Sequence, residues 1–387
     1  MRVVRTVVNS FILYLAFGVA AGGGQAVTQT PQPEARPQQS SRPRLKETEV
    51  SELRSRAEKG DASAQFALGK AFEEGNGVVQ NDDLAARWYR KAADQGNVNA
   101  ENELGIMYRL GRGVNRDKEE AVRWYRKAAK QGSSQAMFNM GVSYYNGDGV
   151  PSNPTLAYAW FLLAQDAGSP AADDAVKRSA EEGERLGATE EALQQVAAMY
   201  EKGNDLPQSY PEAAKWYRKA AGHSPPAAVK LAALLINGRG VPQDYGEAMA
   251  LCQSAAKQRF AEGQYCVGFL YQRGLGTQAD PREAVKWYGE ASRGGLRQAT
   301  MALGEMYWKG EGVGIDKPEA YYQFFQASRR GAQDAKTRAQ VLWNEMSKDE
   351  IKHLEKKLRD LRLDPQKVFA VMQNQATPEA AKGPSQP

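Results

Sequence analysis

A turn of two glycines flanking one residue, closed by valine or a near variant, recurs at Gly75, Gly111, Gly147, Gly238, Gly274 and Gly310. Within each run of three the spacing is 36 residues. This period constrains the fold more than any other feature. So short a unit cannot bury an apolar face alone and has to stack on its neighbours. Thirteen residues after each glycine stands a pair of large side chains: Trp88-Tyr89, Trp124-Tyr125, Trp160-Phe161, Leu251-Cys252 and Trp287-Tyr288. The last unit has Gln323-Phe324 there, and a degenerate seventh unit opens at Gly203 and recovers Trp216-Tyr217.

The residues between these markers specify helix ends. Six positions after each glycine stand Asn81, Asp117, Asn153, Ser209, Asp244, Asp280 and Asp316, side chains able to accept from the free N–H groups of a helix start. Glu120, Glu212, Glu247, Glu283 and Glu319 follow three residues later, a spacing that predicts capping boxes. Pro154 and Pro281 suit the first helical position. An alanine comes next in every unit, from Ala85 to Ala320, and permits close helix approach. Upstream, Ala100, Leu104 and Tyr108 mark one face of another helix, which the turn glycine then ends. Each unit is helix A, a glycine turn and helix B. The expected fold is all-α, a right-handed α/α superhelical solenoid of about seven 36-residue repeats with capping helices.

One unit shows the full pattern: Ala100, Leu104-Gly105, Tyr108, Gly111 to Val114, Ala121, Trp124-Tyr125, Lys127 to Ala129, and Gly132. It resembles the Sel-one-like repeat family, relatives of the tetratricopeptide repeats, over roughly residues 48–331, with a cap to about 363. The resemblance implies an adaptor for protein complexes, binding a protein or peptide on the concave surface that helix A lines. Trp88, Trp124, Trp160, Trp216 and Trp287 share a register expected to be inter-repeat core. Arg109, Tyr145 and Trp308 stand two residues before a turn glycine, where the residue type varies, and are the candidate partner contacts.

The interval from Gly147 to Gly203 exceeds one repeat by 20 residues, read as an extra helix around Ala171 to Leu186 that bends the array, with Thr189 capping the next helix. The expected division is a signal peptide over 1–26, a Pro/Gln-rich linker over 27–47, a cap with three repeats over 48–168, and an inserted helix over 169–188. Four repeats over 189–331, capping helices over 332–363 and a disordered tail over 364–387 complete the chain.

Arg2 and Arg5 precede the uncharged stretch Phe11 to Ala21, and Gly24-Gln25-Ala26 resembles a cleavage site, so export to a bacterial periplasm or beyond is expected. An uncleaved N-terminal membrane anchor is the alternative. Asn153 is followed by Pro154, which bars glycosylation there, and no other acceptor occurs in the mature region; this favours a periplasm over a eukaryotic secretory route. The net charge of +5 is spread over alternating lysines and glutamates, which argues against a nucleic-acid partner.

No cofactor or metal is expected. His223 and His353 stand apart, without ligands at metal-binding spacing. Ser254 and Lys257 match the pattern of penicillin-interacting serine enzymes, but they fall where other units carry Lys91 or Lys127, and the companion motifs are absent. The second functional reading is therefore a cell-envelope or peptidoglycan-associated factor, with hydrolase activity centred on Ser254. Cys252 and Cys266 lie on neighbouring helices, and export permits oxidation. The cysteine-rich branch of the family places its disulfides at the positions of Ala256 and Gln264, so this reading leans towards free buried thiols and keeps a Cys252–Cys266 disulfide as the alternative.

Overall fold

The computed structural model describes residues 44–186 and 188–373, without the side chains of residues 182–186. The signal peptide, nearly all of the linker and the chain from residue 374 lie outside the described residues. Among the described residues all regular structure is helical. The chain divides into two units, Met1–Ala192 and Leu193–Pro387.

The first unit holds α1 (Glu47–Glu58), α2 (Ala62–Glu74), α3 (Asp82–Asp94), α4 (Val98–Leu110), α5 (Lys118–Lys130), α6 (Ser134–Asn146), α7 (Pro154–Asp166) and α8 (Ala172–Leu186). The second opens within α9 (Thr189–Lys202). It continues through α10 (Tyr210–Ala220), α11 (Pro225–Asn237), α12 (Tyr245–Lys257), α13 (Ala261–Arg273), α14 (Pro281–Arg293), α15 (Arg297–Lys309) and α16 (Lys317–Arg329). Helices α17 (Ala335–Glu345), α18 (Lys348–Asp360) and α19 (Pro365–Gln373) close it.

Local chemistry explains each joint. Gly111 ends α4 in the left-handed conformation, φ 71°, and its N–H donates to the Met107 carbonyl. Gly113 is required for a second reason. A Cβ there would lie 2.0 Å from the carbonyl oxygen of Asp82, at the start of the previous unit's helix B. Asp117 then accepts from the Glu120 N–H, and its own N–H donates back to the Tyr108 carbonyl. All seven units repeat this last bond, from Asn81 to Phe72 through Asp316 to Tyr307. It fixes the angle between helices A and B.

Packing within a unit turns on a glycine in helix A. Gly105 faces Tyr125, and a Cβ would come 2.6 Å from the ring. The ring therefore lies flat on bare backbone, fully buried, and such burial contributes about 1.5–3 kcal/mol. Tyr89, Phe161, Tyr288 and Phe324 sit the same way on Gly69, Gly141, Gly268 and Gly304. The expected tryptophan core is thus only partly realised. Trp124, Trp160 and Trp216 are buried, whereas Trp88 and Trp287 are half-buried; the aromatic one residue later is the sealed one.

Three further expectations are corrected. The glutamates that follow the caps do not reach back to close capping boxes. Glu120 takes Arg123 at 2.6 Å, Glu283 takes Lys286, and Glu319 takes Lys357. A cation within reach is a stronger partner for a carboxylate than a backbone N–H already turned towards the preceding helix. Among the six described Ser and Asp caps with Glu three residues later, Ser347 and Glu350 alone form a reciprocal box. Thr189 is the first helical residue of α9 rather than its cap, since the Ala192 N–H donates to the Ala188 carbonyl. Finally, residues 365–373 are helical and packed rather than part of a tail. Asp364 accepts from the Gln366 N–H, Pro365 starts α19, and Val368, Phe369 and Met372 are buried against α16 to α18.

Candidate functional site

Position two before the turn glycine, where the candidate contacts were sought, is occupied with internal packing. The Tyr89 hydroxyl donates to Glu73 at 2.7 Å, the Tyr217 hydroxyl to Glu201 at 2.6 Å, and the Tyr288 hydroxyl to Gln272 at 2.9 Å. Arg109 is the equivalent neighbour of Tyr125, whose hydroxyl is pushed up to about 12 by burial while the guanidinium pulls the other way. In the units where helix B has no hydroxyl, the position turns apolar: Tyr145 with Phe161, Ile236 with Cys252, Trp308 with Phe324. Trp308 packs edge-on against Phe324 at 6.1 Å, and its indole N–H donates to Glu345 at 2.9 Å. It is half-buried and ties helix α15 to the C-terminal helices. Of the three candidates Tyr145 is the exposed one, at 38%.

The structure places a groove elsewhere on helix A. Within the second unit, α13, α15 and the segment from Gly331 to Arg338 line an open trough of about 820 Å³. Consecutive A helices build it, because each helix B packs behind them and leaves the A face outward. Tyr265, Phe269 and Met301 provide apolar surface, with the Tyr265 ring stacked 5.3 Å from Tyr288 at a tilt. Burial raises the Tyr265 hydroxyl above the ordinary phenol range, so it stays a neutral donor.

Four cations and two carboxylates line this trough. Glu305 receives Arg338 and, at 3.4 Å, Lys309, and Asp334 holds Arg338 at 3.2 Å. Arg273 and Arg297 form no ion pair among the described residues, and Arg297 reaches only the Gly331 carbonyl at 3.4 Å. An apolar floor with two uncompensated cations suits a segment bearing both apolar and carboxylate groups. One signal for these residues was present in the sequence. Five positions before the turn glycine the units read Lys70, Ile106, Val142, Ala198, Ala233, Phe269 and Glu305, and Phe269 is the lone aromatic.

The other singled-out residues separate cleanly. Cys252 and Cys266 form a disulfide between α12 and α13, with Cα atoms 5.7 Å apart, so the preference for free thiols is corrected. The two side chains face each other because helix B and the next helix A pack antiparallel, and that juxtaposition overrides the offset from the positions used elsewhere in the family. Ser254 and Lys257 are both exposed on α12, and His223 and His353 are exposed as well. No group of three or more metal-ligating side chains occurs among the described residues. No described helix is long and apolar enough to cross a membrane.

Paired helices, a glycine turn and inter-unit stacking define a helical-repeat solenoid, the class to which this molecule belongs. Within that class the chain is a member of the Sel1 repeat family, whose model matches residues 62–97, 98–133, 134–169, 190–223, 225–260, 261–296 and 297–331. Similar solved structures include a protective antigen of uropathogenic Escherichia coli with an SLR fold, 22% identical. That match covers 87% of this chain and 92% of that one, with a TM-score of 0.31. A Sel1 repeat protein from Oxalobacter formigenes is 27% identical over 63% of this chain and 90% of its own, with a TM-score of 0.30. The immunity protein Pa5087 from Pseudomonas aeruginosa is 16% identical over 60% and 81%, with a TM-score of 0.24. No curated protein matches the chain.

Proposed function

We propose that this protein is an exported scaffold that holds a segment of a partner protein in the helix A groove of α13 and α15. Sel1 repeats generally mediate protein–protein interaction. The observation that carries the finer reading is the groove itself: Tyr265, Phe269 and Met301 beside the unpaired Arg273 and Arg297. Aromatic and arginine side chains dominate interface energies, and a rigid helical floor spares the ordering cost of binding. Binding rather than catalysis is the proposed activity, and the Sel1 scaffold family is generally non-catalytic. Export is supported by the N-terminal sequence and by the Cys252–Cys266 disulfide, since reducing compartments keep thiols free.

The test is capture of partners by the full-length protein from its native cells after chemical cross-linking, compared with a variant carrying Arg273→Glu and Arg297→Glu. Both positions are exposed, so the fold should be retained. Loss of a specific partner in the variant, with unchanged melting, supports the groove; undiminished capture contradicts it.

A further inference from the structure

In a repeat protein, a departure from the shared register that coincides with a cavity marks a place where one unit does something its neighbours do not. One such departure falls in the first unit. A groove of about 530 Å³ lies along α3 and is closed by Tyr108 and by Gly113 and Val114 of the next turn. Leu84 and Trp88 form its apolar wall, and Arg87, Arg90 and Lys91 are its charges; no carboxylate lines it.

Nine residues after the turn glycine, five units carry an acid and the first carries Leu84. Where the acid is present it neutralises a cation: Glu120 with Arg123 at 2.6 Å, Glu212 with Lys215 at 3.4 Å, Glu247 with Arg218 at 2.9 Å. Arg87 stands three residues after Leu84, as Arg123 stands after Glu120, but it has lost that partner. Arg87, Arg90 and Lys91 form no ion pair among the described residues. The third unit also lacks the acid, at Leu156. There the three cation positions are Ala159, Leu162 and Leu163, buried, and α7 packs against α8. Only the first unit drops the acid and keeps all three cations.

Two of these cations are held in place without a counter-ion. Lys91 Nζ lies 4.1 Å from the centre of the Trp88 ring. The Arg90 guanidinium sits between the rings of Tyr108 at 5.3 Å and Trp124 at 5.4 Å and donates to the Tyr108 hydroxyl. Cations fixed on aromatic faces keep N–H groups available to an anion and lose little freedom on binding.

We propose that the α3 groove binds a segment of a partner protein in which carboxylate and apolar side chains alternate. Carboxylates meet Arg87 and Lys91, and an apolar side chain lies between Leu84 and Trp88. The apolar wall favours such a peptide over a sugar–phosphate backbone or a lipid headgroup, which would bring charge alone to it. This site is independent of the groove on α13 and α15.

The experiment is fluorescence anisotropy on the full chain with a fluorescein-labelled peptide of alternating Glu and Leu. A Lys–Leu peptide and phosphatidylglycerol vesicles serve as comparisons. Leu84→Glu supplies Arg87 with the carboxylate that its counterparts have, and the double change Arg87→Ala, Lys91→Ala removes two cations from exposed positions. In an Arg273→Glu, Arg297→Glu background, which removes the cations of the other groove, the expected result is salt-sensitive binding of the Glu–Leu peptide, weakened by about tenfold or more in each variant and unchanged in Arg282→Ala. Thermal unfolding followed by circular dichroism checks that each variant keeps the fold. The proposal is overturned if the Glu–Leu peptide does not bind, if both variants bind it as the parent does, or if the vesicles compete it away at equal charge.

Discussion

Glu73, Glu201 and Gln272 accept hydroxyls from Tyr89, Tyr217 and Tyr288, while Trp308 packs on Phe324, which has none to give. The residue two before each turn therefore answers the aromatic of the following helix B. Tyr89→Phe should cost about 1 kcal/mol, because Glu73 loses a donor in a half-buried place; denaturant titration would show it. Trp308→Ala removes both the ring contact and the bond to Glu345, and should cost about 2–3 kcal/mol of stability. An unchanged melting temperature would return Trp308 to the surface. Glu103 carries a pH signature. Burial and the Glu73 carboxylate push its carboxyl up to about 7, well above the usual carboxylate range, with the Asn102 amide, Lys70 and Arg112 acting the other way. The folded state keeps a proton that the unfolded state has lost, so stability falls as pH rises from about 4.5 to about 7 and is level above. Glu103→Gln should therefore melt higher than the parent at pH 8 and equal it at pH 4; a constant difference across that range would refute the coupling. At this scale the recurrent residues are legible in the sequence, whereas the variation at Arg109 and Trp308 follows which side chain arrives from helix B, a pairing that one-dimensional spacing does not display.

Helix ends were the most readable elements, since Asp117, Asn153 and Asp244 cap the helices that their spacing predicts. Where the reading failed, a neighbouring element had changed the local balance. Pro365 looked like the start of a Pro-rich tail, yet Asp364 and Pro365 are also a helix start, and Phe369 gives the reason for one: its ring lies 4.7 Å from Trp343 and 6.1 Å from Tyr321. The disulfide was hidden similarly, because one-dimensional spacing cannot tell which faces of α12 and α13 oppose each other. Joining residues 14 apart constrains a short loop of the unfolded chain, which predicts a loss of roughly 2–4 kcal/mol for Cys252→Ala with Cys266→Ala. Thiol titration of the parent under denaturing, non-reducing conditions should find no free cysteine; two reactive thiols would exclude the bond.

As a whole, the chain carries seven Sel1 repeats, and the 36-residue period shows them before any coordinate is known. The grooves are not visible at that level. Tyr265 and Phe269 come from one repeat and Arg297 from the next, and their convergence follows from stacking that brings successive A helices side by side. Repetition makes the fold legible and conceals the function, because specificity resides in the few positions that break the pattern, Phe269 and Leu84 among them. The most direct measurement is site-specific photo-crosslinking in the native cell, with a benzophenone side chain placed in turn at Gln298 and Phe269 in the groove and at Arg282 and Lys286 on helix B. A discrete adduct to one protein from Gln298 and Phe269, absent from Arg282 and Lys286, is the predicted result. Adducts from the helix B positions alone, or none from the groove, would contradict a helix A binding surface.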